Sequence, residues 1–160
     1  MGWPGIVVDW ALQKPERWGE SLATAGKLRE RYGCPIWVSA EKDLIPLAIM
    51  SVRYMNNNYR WLQRHIDKAR EQIVYYQGEL AQADHRRAME GAGIRYRFEL
   101  HDRATGLATG ATMTLNQQLA DAQACLESWQ EGERWMVYSV GVLRQWADEH
   151  GITLYDEVVA

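Results

Sequence analysis

Tyr54, Asn57, Trp61 and Arg64 follow one another at intervals of three, four and three residues. In a helix that spacing gathers a phenol, an amide, an indole and a guanidinium on one face. The chemistry open to such a set is recognition. Aromatic planes stack on a base, an amide reads its edge, and a guanidinium pairs with a phosphate. Arg95 and Arg97 project from one side of an alternating segment and extend the set toward an anion. Together the six residues nominate a binding site for a small anionic nucleotide. Each has a plainer reading beside it. The run Asn56-Asn57-Asn58 is also what a polar layer that sets helix register looks like. Arg95 and Arg97 also fit a solvated outer face.

Catalytic signatures are sparse. His101-Asp102-Arg103 carries a base and a carboxylate, but in a turn with no nucleophile motif. It leaves a small metal-independent nuclease or phosphodiesterase as the enzymatic alternative. No P-loop, G-x-G-x-x-G or G-x-S-x-G stretch occurs. His65 and His85 lie too far apart on one helix to share a metal. Cys34 and Cys125 have no ligand-type spacing and suggest neither a zinc site nor a disulfide framework. Asp148-Glu149 and Asp156-Glu157 read as exposed pairs. No catalytic residue, metal or cofactor is expected.

The elements that must position these residues are mostly helical. From Val52 to Ala83 the positions Val52, Met55, Tyr59, Leu62, Ile66, Ala69, Ile73, Tyr76, Leu80 and Ala83 are all apolar or aromatic. They repeat every 3.5 residues, the period of a coiled-coil seam. Such a seam spans roughly 48 Å at 1.5 Å per residue, more than a small domain is wide, so part of it is expected to meet a second copy of the chain. The repeat predicts a long helix over 47–89, ended by Gly91-Ala92-Gly93, with Gly78 its soft spot. Beyond Tyr59, Leu62 and their neighbours, the half from Ile66 to Ala83 reads as plain packing surface, and Arg86-Arg87 as complements to the helix's negative end.

Around it, Ile6-Val7-Val8 suggests a short strand or docking arm. A helix is expected over 15–32, with Pro15 in its first turn, an apolar face of Trp18, Leu22, Ala25 and Leu28, and Gly33 as its stop. An extended piece over Ile36–Ser39 leads to a polar turn at Ala40–Asp43. Ile94, Tyr96, Phe98 and Leu100 alternate with Arg95, Arg97, Glu99 and His101, the pattern of a half-buried strand. A second strand over 107–113 completes a hairpin, with Gly110 marking a bulge. Thr114 and Gln117 form a capping box. It opens two helices, or one kinked at Glu131-Gly132-Glu133, over 115–149. The tail Ile152–Val158 suggests one more short strand. The expected fold class is helix-dominated α+β: a coiled-coil-like helix and a β-hairpin packed on helices. We read one domain with an N-terminal part (1–46), the long helix (47–90) and a hairpin followed by helices (91–160).

With 47% hydrophobic residues, eight Trp and eight Tyr, the chain has enough apolar surface to fold, and Trp and Tyr must build its aromatic core. A net charge of −3 gives no general attraction to a nucleic-acid backbone. Basic side chains outnumber acidic ones over 47–90, and the balance reverses over 91–160. Met1–Leu12 lacks the pattern of a secretory leader, and no apolar run nears membrane-spanning length, so a cytoplasmic setting is expected.

The stretch Trp37–Leu62 resembles a segment of small phage and prophage accessory proteins. The positions that fit are Trp37, Ser39, Ile45, Pro46, Met50, Asn57, Arg60, Trp61 and Leu62. Lys42 stands where that pattern has a turn glycine and Tyr54 where it has a histidine, so a role resting on that histidine does not carry over. The resemblance covers this local segment alone. It implies a phage-type accessory protein that counteracts host defence by stoichiometric binding. Its expected cargo is a small anionic nucleotide held at the interface of a homo-oligomer. The alternative is a protein–protein inhibitor of a host factor, or a structural phage component.

Overall fold

The computed structural model describes residues 6–7, 15–39, 41, 43–101 and 104–156, with side chains from residue 23 onward. The chain is helix-dominated α+β, as its periodicities predict. It divides into two compact units, Met1–Ala69 with Glu131–Ala160, and Arg70–Gln130.

In the first unit β1 (Ile6–Val7), β2 (Ile36–Val38) and β3 (Leu44–Pro46) form an antiparallel sheet in that order. Trp37 stands opposite both Val7 and Ile45. All three β2 side chains are buried, which explains why Ile36-Trp37-Val38 reads as an unbroken apolar run instead of an alternation. The expected polar turn closes through Ser39, whose N–H donates to the Asp43 carbonyl and whose Oγ accepts from the Asp43 N–H. Helix α1 (Pro15–Tyr32) ends at Gly33, whose φ of 61° only glycine adopts freely. Its Ala25 is buried with Ile36, and Leu28 and Leu44 pack against them. Trp18, Leu22 and Val8 lie outside the described side chains.

The long helix differs from the expected 47–89 at both ends. Leu47–Ile49 is a separate 3-10 turn. Helix α2 (Val52–Ala81) begins only after Ser51, whose Oγ accepts the Tyr54 N–H as an N-cap. Pro46 therefore opens only the 3-10 turn, and Ser51 caps the α-helix. The break falls at Gln82, after which α3 (Ala83–Gly91) resumes, and Gly78 stays inside the helix. Arg86 bridges the break: its Nη1 pairs with Glu79 Oε2 at 2.9 Å and its Nη2 donates to Gln82 Oε1. Arg86 thus ties two helices together, in place of the expected dipole partner.

The second unit holds the C-terminal part of α2, α3, a hairpin of β4 (Phe98–His101) and β5 (Ala108–Met113), and residues 115–130 of the last helix, where Leu115, Leu119, Ala122 and Leu126 are buried. The first strand is shorter than the expected 94–101. The alternation survives only at its centre, where Tyr96 and Phe98 are half-buried with their rings 6.2 Å apart, while Ile94 and Leu100 are exposed. Gly110, at φ 81°, marks a bulge as expected. Glu99 faces Thr112 and His101 faces Ala108, so β5 carries the extra residues.

The capping box forms in both directions. Gln117 N–H donates to Thr114 Oγ1, and Thr114 N–H donates to Gln117 Oε1. Helix α4 (Leu115–Glu149) then runs unbroken through Glu131-Gly132-Glu133, so one of the two expected forms, a single helix, is present. No strand forms over residues 152–156, and Glu157 and Val158 lie outside the described residues. No described helix is long and apolar enough to cross a membrane.

Candidate functional site

The strongest polar constellation sits where the tail meets α2, inside the first unit. Asn56, Tyr59 and Gln63 follow one another at three and four residues, a stripe that meets the apolar seam at Tyr59. Asn56 is 6% exposed. Its Nδ2 donates to the Thr153 carbonyl at 3.1 Å and to the Val52 carbonyl at 3.2 Å. Its Oδ1 accepts the Tyr155 N–H at 2.8 Å. An amide that faces a carbonyl and the N–H two residues further on imitates one residue of a neighbouring parallel strand. A helix side chain therefore does what the expected tail strand would have done.

One turn along, Tyr59 donates its hydroxyl proton to Asp156 Oδ1 at 2.7 Å. The same oxygen accepts from Gln63 Nε2 at 2.9 Å. Arg144, from α4, donates to the Tyr59 hydroxyl through Nε at 3.1 Å and Nη2 at 2.9 Å. The hydroxyl's one donor and two acceptor positions are thus all used. The hydrogen bonds from Gln63 and Tyr59, helped by the Arg144 charge, hold the Asp156 carboxyl below its ordinary value against the opposing effect of desolvation. The Tyr59 phenol is pushed up, chiefly by burial and then by its bond to Asp156, against the Arg144 guanidinium. The arrangement is a carboxylate receptor: two neutral donors on the oxygen and a cation behind one of them.

The six residues expected from sequence do not share a unit. Tyr54, Asn57, Trp61 and Arg64 keep their common face on α2, with Asn57 and Arg64 exposed and Tyr54 and Trp61 half-buried. Asn57 Oδ1 accepts from Arg60. Trp61 stacks on His65 with centroids 3.7 Å apart, and the His65 Nδ1–H donates back to the Trp61 carbonyl. Arg95 and Arg97 belong to the second unit, precede β4 and are exposed. His101 ends β4 and is exposed, and Asp102 lies outside the described residues.

No protein-family model, curated protein or solved structure matches this chain. The site is therefore read from its own geometry.

In the sequence Asn56 stands out only as one of three asparagines, and the face shared by Tyr54, Trp61 and Arg64 passes through Asn57 instead. The signal for it was the three-four spacing of Asn56, Tyr59 and Gln63. Asp156 read as half of an exposed acidic pair, and Arg144 carried no signal, because its partner lies 85 residues away. Elsewhere in the first unit a groove of about 550 Å³ lies between Gly33 and the α4 residues Tyr138, Gly141, Gln145, Trp146 and Glu149. Trp146 repeats the Trp61 arrangement, stacked on His150 at 3.7 Å with the His150 Nδ1–H donating to its carbonyl. In the second unit the Tyr76 phenol is pushed up to about 12, first by burial and then by its hydrogen bond with Cys125.

Proposed function

We propose that this chain is a non-enzymatic binding protein that works as a homo-oligomer and acts by stoichiometric capture. The observation that carries the reading is the apolar surface left open in the second unit. Val74 is 67% exposed, Tyr75 58% and Leu107 69%. The seam positions Ile73, Tyr76 and Leu80, on the same helix as Val74 and Tyr75, are only half-buried. Gly78, one turn beyond Val74, has no heavy atom within 4 Å of where a Cβ would stand, so a second backbone has room to approach there. Exposed aromatic and branched side chains next to a small residue, on a helix whose 3.5-residue repeat continues, suit pairing with an identical helix about a two-fold axis.

Light scattering tests this directly. The intact protein is expected at a dimer mass or a higher even multiple, and a Val74→Glu, Tyr75→Glu double variant at the monomer mass with its helix content kept. A wild-type protein that stays monomeric at high concentration sinks the reading.

A second reading concerns cargo. Tyr54, Asn57, Trp61 and Arg64 remain accessible on one face of an unbroken helix, which favours a small anionic nucleotide over a buried structural role for that face. Taken with the phage-like segment Trp37–Leu62, this supports a role in counteracting host defence, with a host protein as the competing cargo. Calorimetry with cyclic nucleotides and ADP-ribose derivatives should give saturable heat that Trp61→Ala removes. If none of them binds while a host protein co-purifies despite Asn57→Ala and Arg64→Ala, the inhibitor reading takes its place.

A further inference from the structure

The tail contact has the layout of a recognition site more than of simple packing. Asn56 holds main-chain atoms alone, the Thr153 carbonyl and the Tyr155 N–H. It therefore accepts any residue at those two positions, and both side chains are in fact exposed. The residue between them, Leu154, is half-buried. The one side chain read by polar groups is the carboxylate of Asp156, three residues after the carbonyl that Asn56 holds. Main-chain bonds supply affinity and one cluster of polar groups on a carboxylate supplies specificity, the division of labour seen when extended peptides dock on a protein surface.

We propose that Asn56, Tyr59, Gln63 and Arg144 form a peptide-reading site that the chain's own residues 153–156 occupy, and that the same site takes an extended acidic segment of another polypeptide. The segment it fits has an apolar residue two positions before an Asp. The tail is then an intramolecular competitor. Tethered nearby, it acts at an effective concentration on the order of millimolar, so a free peptide enters weakly until the tail is displaced. Arg144 makes the choice of charge. With its guanidinium on the Tyr59 hydroxyl, that hydroxyl points its proton outward, toward an acceptor, and a Lys or an apolar side chain at the fourth position finds no partner. The proposal is independent of self-association through the second unit.

The experiment uses the full-length protein and a fluorescent peptide copying residues 152–156. Its anisotropy is followed against wild type and against Asp156→Lys, in which the tail carries the wrong charge. Hydrogen exchange at the Tyr155 amide reports tail release in each. The expected result is faster Tyr155 exchange in the variant and about tenfold tighter peptide binding than to wild type. Binding should be lost when Asn56→Leu is added or when the peptide carries Lys in place of its Asp. Equal binding to both proteins, or binding that survives Asn56→Leu, overturns the proposal. So does a released tail with no peptide uptake, which makes the contact structural only. Should Asp156→Lys fail to fold, Asp156→Asn carries the same test with a smaller increase, and no increase there overturns it as well.

Discussion

Along α2 one repeat in sequence meets two environments. Met55, Tyr59, Leu62, Ile66 and Ala69 are buried, whereas Ile73, Tyr76 and Leu80 are only half-buried. The difference lies in what each unit brings to the seam. The first supplies a three-stranded sheet, α1, the Trp135–Ala147 stripe of α4 and a pinned tail. The second supplies the short α3, the Leu115–Leu126 stripe of α4 and a two-stranded hairpin, and such a hairpin is marginal by itself. Periodicity decides which face of a helix is apolar. It does not decide whether the same chain can cover that face.

This contrast breaks most easily at matched leucines. Leu62→Ala is expected to cost about 3 kcal/mol, as a fully buried leucine does. Leu80→Ala is expected to cost under about 1 kcal/mol in dilute protein, rising with concentration if a second copy covers it. Urea melts at two concentrations give both numbers, and equal, concentration-independent costs abolish the distinction. Next in size, Tyr59→Phe removes a hydroxyl that makes three hydrogen bonds, one to Asp156 and two from Arg144. Roughly 2 kcal/mol should be lost from the first unit, with the exposed second-unit surface unchanged.

The two units also divide by pH. The Asp156 carboxyl is lowered in the folded protein, so its contribution is complete above the ordinary value of 3.8 and lost as pH falls through the folded value. Tyr76 is raised, so its contribution is complete below the ordinary 10.0 and lost as pH rises through about 12. Acid is thus expected to free the tail amide of Tyr155 first. Alkali should ionise Tyr76 late, visible as a phenolate absorbance step missing from Tyr76→Phe. The smallest expected effect is Ser139→Ala. The Ser139 hydroxyl is fully buried with no hydrogen-bond partner among the described residues. Replacing it should leave stability unchanged or raise it by up to about 1 kcal/mol, measured by thermal melting.

The elements written in local patterns were legible in the sequence: α1 with Pro15 and Gly33, the Thr114–Gln117 box, the Gly110 bulge and the helix-dominated class. The errors came where two local signals competed. Pro46 and Ser51 both announce a helix start, and the side chain that caps the backbone prevails. Gly78, the soft spot by residue type, stays helical, and the break falls four residues on at Gln82, where Arg86 bridges it. The tail site was the least legible part. Asn56 meets Thr153 and Tyr59 meets Asp156 across 97 positions, and no spacing rule reaches that far. Periodicity could offer only the stripe of donors at Asn56, Tyr59 and Gln63, without the segment it holds.

That separation has a kinetic meaning. Closing a loop of nearly a hundred residues carries a high entropic cost, and a few hydrogen bonds on a short tail cannot repay it early. The contacts of Asn56 with Thr153 and Tyr155 therefore form after the helices and sheet have packed. Weakening them speeds unfolding while refolding keeps its rate. Contacts made last thus slow unfolding without hastening folding.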